Sequence, residues 1–184
     1  MNTLAVRVFS GIGFVAVMLA CLLIGKFTFA ALVIFIMVGM MVEFYRMTMG
    51  ESYLITRLLA LTSAVTAFAT VFLYSAYGVP VKYVAFAFVP IFMLMINSLY
   101  VKDKSEFGRF SNIYAGLLYI AVPMVLSNLV VFQHQHYSGI LLICFLIIIW
   151  CSDMGAYAFG LTLGGKFPKK LFQTISPTKT WVGF

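Results

Sequence analysis

The sequence predicts an all-α fold, a polytopic integral membrane helical bundle with six transmembrane helices and the start of a seventh. Three observations lead there. Of the 184 residues, 64% are hydrophobic and only 9% are charged, with a mean hydropathy of +1.08, whereas a soluble domain carries roughly 25% charged residues. Apolar stretches of about 20 residues, the length that crosses a bilayer, recur along almost the whole chain. They are continuous and lack the period-two alternation of barrel strands, so helices are what satisfies their backbone groups in lipid. Ten of the twelve Lys and Arg residues, finally, fall in alternate connections between the stretches.

The spans follow in order. The first runs from about Val8 to Ile24 and the second from Phe27 to Tyr45, with Gly25 and Lys26 leaving a very tight turn between them. The third covers Leu58 to Tyr77, the fourth Val81 to Tyr100, the fifth Ile113 to Phe132, and the sixth Ile140 to about Leu161. On this count one face holds Arg7, Arg46, Arg57, Lys102, Lys104, Arg109, Lys166, Lys169, Lys170 and Lys179, ten of the twelve basic residues. The other face holds only Lys26 and Lys82. Cytoplasmic connections carry the basic excess, so both termini are expected in the cytoplasm. The net charge of +7 then belongs to a cytoplasmic face that draws anionic headgroups or anionic substrates. With no soluble basic domain to carry it, nucleic acid is not expected as a partner. Residues 1–184 read as a single transmembrane domain, with a cytoplasmic polar loop over 162–180.

Cys21, Cys144 and Cys151 lie in apolar runs without ligand spacing and read as reduced packing residues. Met18-Leu19-Ala20-Cys21 resembles a lipoprotein cleavage site only faintly, and more spans follow it. His134-Gln135-His136 falls in the connection between the fifth and sixth spans. Two histidines are too few for the usual three or four metal ligands, so a polar external turn is expected.

Charged residues inside a span are costly and mark function. Glu43, in Glu43-Phe44-Tyr45-Arg46, lies at the cytoplasmic end of the second span, where it can meet water or pair with Arg46. Asp153 is deeper. It follows Leu146-Ile147-Ile148-Ile149-Trp150-Cys151-Ser152 and lies about 12 Å from the cytoplasmic end of its helix at 1.5 Å per residue. So short a side chain needs a cavity, a cation or a buried donor there. Ser152, Ala156, Gly160 and Gly164 recur every fourth residue as a smooth ridge for close helix packing, and Tyr157 stands one turn from Asp153 on the same face.

The closing loop holds four lysines and the hydroxyls of Thr174, Ser176, Thr178 and Thr180 between Lys166 and Thr180. Gly160 to Lys166 imitates the start of a phosphate loop, but Phe167 stands where the magnesium-binding hydroxyl belongs and a membrane helix precedes it, so that reading is rejected. Ser176-Pro177 reads as a helix N-cap followed by proline at the first helical position. Such an end, with Lys179 beside it, attracts phosphate. Thr178 to Phe184 then reads as the first turns of a seventh helix, with Trp181 at the interface, and the chain is expected to be part of a longer protein.

At these residues the sequence resembles the phosphatidate cytidylyltransferase family, the CDP-diacylglycerol synthases. The resemblance rests on Ser152-Asp153-Met154-Gly155-Ala156-Tyr157-Ala158-Phe159-Gly160, on Gly164-Gly165-Lys166, and on Ile175-Ser176-Pro177-Thr178-Lys179-Thr180-Trp181-Val182-Gly183. Arg7 and Glu43-Phe44-Tyr45-Arg46 match more generally. Val182 departs from the family pattern, where Glu or Gln is usual, and the family's principal C-terminal signature, which the resemblance implies supplies metal-binding carboxylates, is not among these residues.

The resemblance implies transfer of the CMP moiety of CTP to phosphatidate, giving CDP-diacylglycerol and pyrophosphate, in a bacterial-type inner (cytoplasmic) membrane with the N-terminus cytoplasmic. It implies Mg2+ or another divalent cation as cofactor, with Asp153 as a metal-binding carboxylate and Asp153 and Lys179 as catalytic residues. Ser176, Thr178, Thr180, Lys166 and Tyr157 would bind the substrates CTP and phosphatidate, and a homodimer is compatible with it. Residues 1–184 alone are expected to be inactive. Three rivals remain at this stage: a CTP-dependent kinase of a lipid alcohol, an ion or proton transporter using Asp153, and a non-catalytic lipid-binding scaffold.

Overall fold

The computed structural model describes residues 3–50, 53–100, 107–163, 170–172 and 176–180. These gather into two compact units, Met1–Leu141 and Leu142–Phe184.

Among its described residues the first unit is mainly helical, with one small hairpin. Helix α1 covers Thr3–Ile24, α2 Lys26–Met49 and α3 Leu54–Tyr77. The fourth expected span begins as a 3₁₀ segment, Val81–Ala87, and continues as α4, Phe88–Leu99. The fifth is built from α5, Phe107–Gly116, a π-helical turn at Leu117–Ala121, and α6, Val122–Val131. Prolines account for both irregularities. Pro90 and Pro123 lack an N–H, and their rings crowd the carbonyl four residues back. A tighter turn before the first and a wider one before the second re-route those carbonyls without breaking the span.

Helix α3 is the hub, touching α2, α4 and α6. Its buried face is Thr56, Ala60, Ser63, Ala64, Phe68, Phe72, Ser75 and Ala76, a mixture of small residues and aromatic rings suited to close packing in lipid. Helix α2 presents Phe29, Val33, Met37, Met41, Tyr45 and Met49, one residue every fourth position, as its buried stripe. Tyr45 ends the bonded part of that stripe. Its hydroxyl donates to the Ile113 carbonyl at 3.0 Å, and its ring lies where a side chain on Gly116 would stand, at 2.7 Å from a Cβ placed there. Near the other end, Phe29, Phe68, Phe72, Phe132 and Tyr137 form a chain of ring contacts 5.4–6.3 Å between centroids.

The connection after α6 is a hairpin of β1, Phe132–Gln133, and β2, His136–Tyr137, paired antiparallel. His134 and Gln135 turn with φ of 49° and 68°, the left-handed pair that matches strand twist in a two-residue turn. The side-chain amide of Gln135 lies against Gly78, which closes α3 at φ 66°. The Tyr137 hydroxyl donates to the Leu22 carbonyl at 2.7 Å, while Thr28 donates to the Cys21 carbonyl at 2.7 Å. Two carbonyls that the end of α1 leaves without a helical partner are satisfied in this way.

In the second unit, α7 spans Ile140–Leu163, starting at the end of the first unit. It is followed by β3, Lys170–Phe172, and β4, Ser176–Thr180. Five stretches are long and apolar enough to cross a membrane: Lys26–Met49, Leu54–Tyr77, Val81–Leu99, Phe110–Val131 and Ile140–Gly160, with Phe9–Ile24 a shorter apolar helix. The six expected spans thus correspond to observed helices, and the chain is an integral membrane protein.

Two expectations follow. Gly116→Ala forces the fully buried Tyr45 ring to move and should destabilise the protein by about 1–3 kcal/mol, read as a lowered midpoint of thermal unfolding in detergent. Burial, and secondarily the charge of Cys21, push the Tyr137 phenol from 10.0 up to about 12. Because the folded value is raised, the stabilisation is complete below pH 10 and is lost as pH climbs through 12. Denaturation curves across that window should show the loss in the unmodified chain and a smaller one in Tyr137→Phe.

Candidate functional site

Asp153 sits ten residues before the end of α7 at Leu163, about 15 Å along the axis at 1.5 Å per residue. The helix ends two residues later than the sequence suggests, and its apolar membrane-crossing stretch closes at Gly160, seven residues after Asp153. Asp153 and Tyr157 are both exposed and, four apart, occupy one face. Ser152, Ala156 and Gly160 form the neighbouring ridge, while Gly164 lies outside the described residues. No hydrogen bond or ion pair reaches the Asp153 side chain among the described residues.

The basic loop departs from expectation. The N-cap at Ser176, with Pro177 opening a helix, does not form. Ser176–Thr180 is the extended strand β4, paired antiparallel with β3 so that Lys170 faces Thr180 and Phe172 faces Ser176. Between these pairs β4 takes four residue steps where β3 takes two, and the excess is taken up as a bulge. The reason is local. A residue before proline is biased to extended backbone, Thr178 and Thr180 are β-branched, and a two-stranded sheet has only edge strands, where proline's missing donor is tolerated. The anion site expected at a helix N-terminus is therefore lost at Ser176. The hairpin instead brings Lys170 into register with Thr180, directly after Lys179. Lys166 and the continuation of the expected seventh helix at 181–184 lie outside the described residues.

Divalent cations can be weighed by donor chemistry. Among the described residues no three His, Cys, Asp or Glu side chains come together, so no all-protein cage is present there. Magnesium does not require one, since it is commonly held by one or two carboxylates together with substrate phosphates and water. Asp153 suits that arrangement as a single oxygen ligand.

The other intramembrane acid lies elsewhere. Glu43 and Arg46 stand with Gly39, Val42 and Met47 on one exposed face of α2, beside a shallow open space of about 620 Å³. Sequence reading took Glu43 with Arg46, which can pair with it, and passed over Gly39, Val42 and Met47. The 39, 42–43, 46–47 spacing was the available sign that these residues share one helix face.

An α-helical membrane bundle with a deep carboxylate and a basic, hydroxyl-rich hairpin after it defines the class. Within that class the chain belongs to the cytidylyltransferase family, whose model matches residues 5–184. It is 38% identical over 79 residues to a probable phosphatidate cytidylyltransferase of Dictyostelium discoideum, covering 41% of this chain and 16% of that protein. It is 36% identical over 78 residues to a phosphatidate cytidylyltransferase of Staphylococcus epidermidis, covering 42% of this chain and 29% of that one. The chain thus spans less than a third of the length of either relative in these matches. No solved structure matches it.

The strand register is open to a direct check. With the three native cysteines replaced by alanine, Lys170→Cys with Thr180→Cys should cross-link on mild oxidation, because cross-strand Cα distances fall within disulfide reach. Lys170→Cys with Ser176→Cys should not, and the reverse result would restore the helical reading.

Proposed function

We propose that this chain contributes to the transfer of the CMP moiety of CTP to phosphatidate, yielding CDP-diacylglycerol and pyrophosphate, at the cytoplasmic face of a bacterial-type inner membrane. Family membership and the relatives' names support the reaction, and the confinement of ten of twelve basic residues to one set of connections supports a cytoplasmic N-terminus. The observation that carries the site is Asp153. A carboxylate at the centre of a membrane helix costs about 2.5–3.5 kcal/mol on an insertion scale, and at about 15 Å from its helix end it cannot reach water by extending. A bound cation removes that cost.

In the reaction a phosphate oxygen of phosphatidate attacks the α-phosphorus of CTP. The new P–O bond forms as the bond to the bridging oxygen breaks, and pyrophosphate leaves with that electron pair. Two polyanions must approach, and negative charge grows on the leaving group. Lys179 and Lys166 would offset that charge electrostatically. Ser176, Thr178 and Thr180 would donate hydroxyl hydrogen bonds to phosphate oxygens, and Tyr157 would donate its phenol to substrate from the Asp153 face. A magnesium ion held in part by Asp153 would supply further charge neutralisation when bound. No observation favours the kinase, transporter or scaffold.

The test uses membranes containing the intact protein in which these residues occur, supplied with phosphatidate and CTP labelled in either the cytidine or the terminal phosphate. Cytidine label should enter lipid, and Asp153→Asn should lower the rate at least about 100-fold, the scale seen when an electrostatic contact to the transition state is removed. Transfer of the terminal phosphate alone would point to a kinase and overturn the proposal.

A further inference from the structure

Lys26, Lys82, His134 and His136 are the basic side chains in the connections opposite the lysine-rich ones, and the fold gathers them around one point. That point is Gly78, which closes α3 at φ 66°. The Lys26 ammonium lies 4.2 Å from the centre of the Tyr77 ring and 5.5 Å from that of Phe27. The Gln135 amide lies against Gly78, so the imidazoles on either side of it in the hairpin turn belong to the same patch. Lys82 follows Gly78 by four residues, a reach of at most about 14 Å, in the 3₁₀ segment that packs on α3. The α1–α2 turn, the end of α3, the start of the fourth span and the β1–β2 hairpin thus each bring a side chain to one surface.

The patch has one sign. None of the chain's five acids, Glu43, Glu51, Asp103, Glu106 and Asp153, falls in these connections. A ring face steadies an ammonium without neutralising it, so Lys26 keeps its charge, while Lys82, His134 and His136 are exposed. The patch also has a depth. Phe27, Tyr77, Tyr83 and Phe86 are exposed around it, and aromatic rings with lysines at the ends of spans stand at headgroup level. The anion at that depth is the phosphate of a lipid. With no carboxylate in these connections, the ammonium of a zwitterionic head has no acidic partner there and meets two like charges. A head whose only charge is its phosphate meets none. We propose that this patch binds the headgroup of an anionic phospholipid, its phosphate between Lys26 and Lys82, with the imidazole N–H groups of His134 and His136 as further donors and the glycerol against Tyr77. The site uses neither Asp153 nor the basic hairpin after α7, so it stands or falls separately from the reaction.

The full chain is reconstituted into choline-lipid vesicles holding a trace of a photoactivatable lipid, with its diazirine on an upper acyl carbon and either a glycerol or a choline head. Labelled peptides are then mapped by mass spectrometry, which separates this patch from the lysine-rich connections. Over residues 74–86 and 132–137 the glycerol-headed lipid should label at least about tenfold more than the choline-headed one, as two lysines at a membrane surface allow. Lys82→Gln should cut that ratio about fivefold, the share of one lysine, and Lys82→Arg should keep it. Equal labelling by the two heads overturns the proposal. So does a ratio that Lys82→Gln leaves unchanged, which would reduce the patch to general anchoring at the interface. The two-lipid comparison on the unmodified chain needs no variant to fold.

Discussion

Inside a bilayer core no water is available to a backbone N–H or carbonyl, so every such group must find its partner within the protein. The irregular parts of this chain obey that constraint. The 3₁₀ entry to α4 and the π turn between α5 and α6 keep carbonyls occupied next to Pro90 and Pro123. Where α1 stops at Ile24 and α2 begins at Lys26, one residue separates two helices, and the freed carbonyls of Cys21 and Leu22 are taken by Thr28 and Tyr137. The turn can be that short because side chains from α2 and from the β1–β2 hairpin complete it.

The same solvent changes what holds helices together. Lipid tails are as apolar as leucine, so association rests on close contact and on polar bonds between helices. Tyr45 combines both, with a ring set into the space left by Gly116 and a hydroxyl on the Ile113 carbonyl. Thr56 donates to the Asn97 side-chain carbonyl at 2.8 Å and joins α3 to α4. The hydroxyls of Ser63, Thr66 and Thr70 instead return to carbonyls of α3 itself. They stay satisfied, and that helix can place them beside its neighbours without further partners.

The spans were legible because hydropathy over about 20 residues is a long, redundant signal. Every expected boundary lies within about six residues of an observed one, as fraying and interfacial extension allow. Short-range chemistry was less secure. Ser176-Pro177 fits a helix start and an extended edge strand equally well from its own preferences, and pairing with Lys170–Phe172, a contact that no local pattern encodes, decides for the strand. Asn128 was passed over for the opposite reason. A single amide in an apolar run barely alters hydropathy, yet it is fully buried, and its Nδ2 donates to the Val125 carbonyl at 2.9 Å. The depth of Asp153 was legible, because it follows from helix rise alone. What its carboxylate meets was not, because no local pattern encodes it.

Depth also separates the two intramembrane acids chemically. The penalty for a charge falls steeply from the centre of the bilayer toward its surface. Glu43 lies six residues from the end of α2 at Met49, with Arg46 one turn nearer that end. It is shallow enough to meet headgroups and water. Asp153 lies ten residues from Leu163 on a side chain one carbon shorter, and no basic residue occurs on α7 to offset it. Positive charge must therefore come to Asp153, and the chain that follows α7 is where the sequence is richest in it, with Lys166, Lys169, Lys170 and Lys179 within 14 positions. Lysines draw polyphosphates as well as carboxylates, and a phosphate-bound cation can bridge to an acid that no lysine reaches. On this physical ground the proposed reaction asks more of a deep acid followed by lysines than of a shallow acid that headgroups and water can reach.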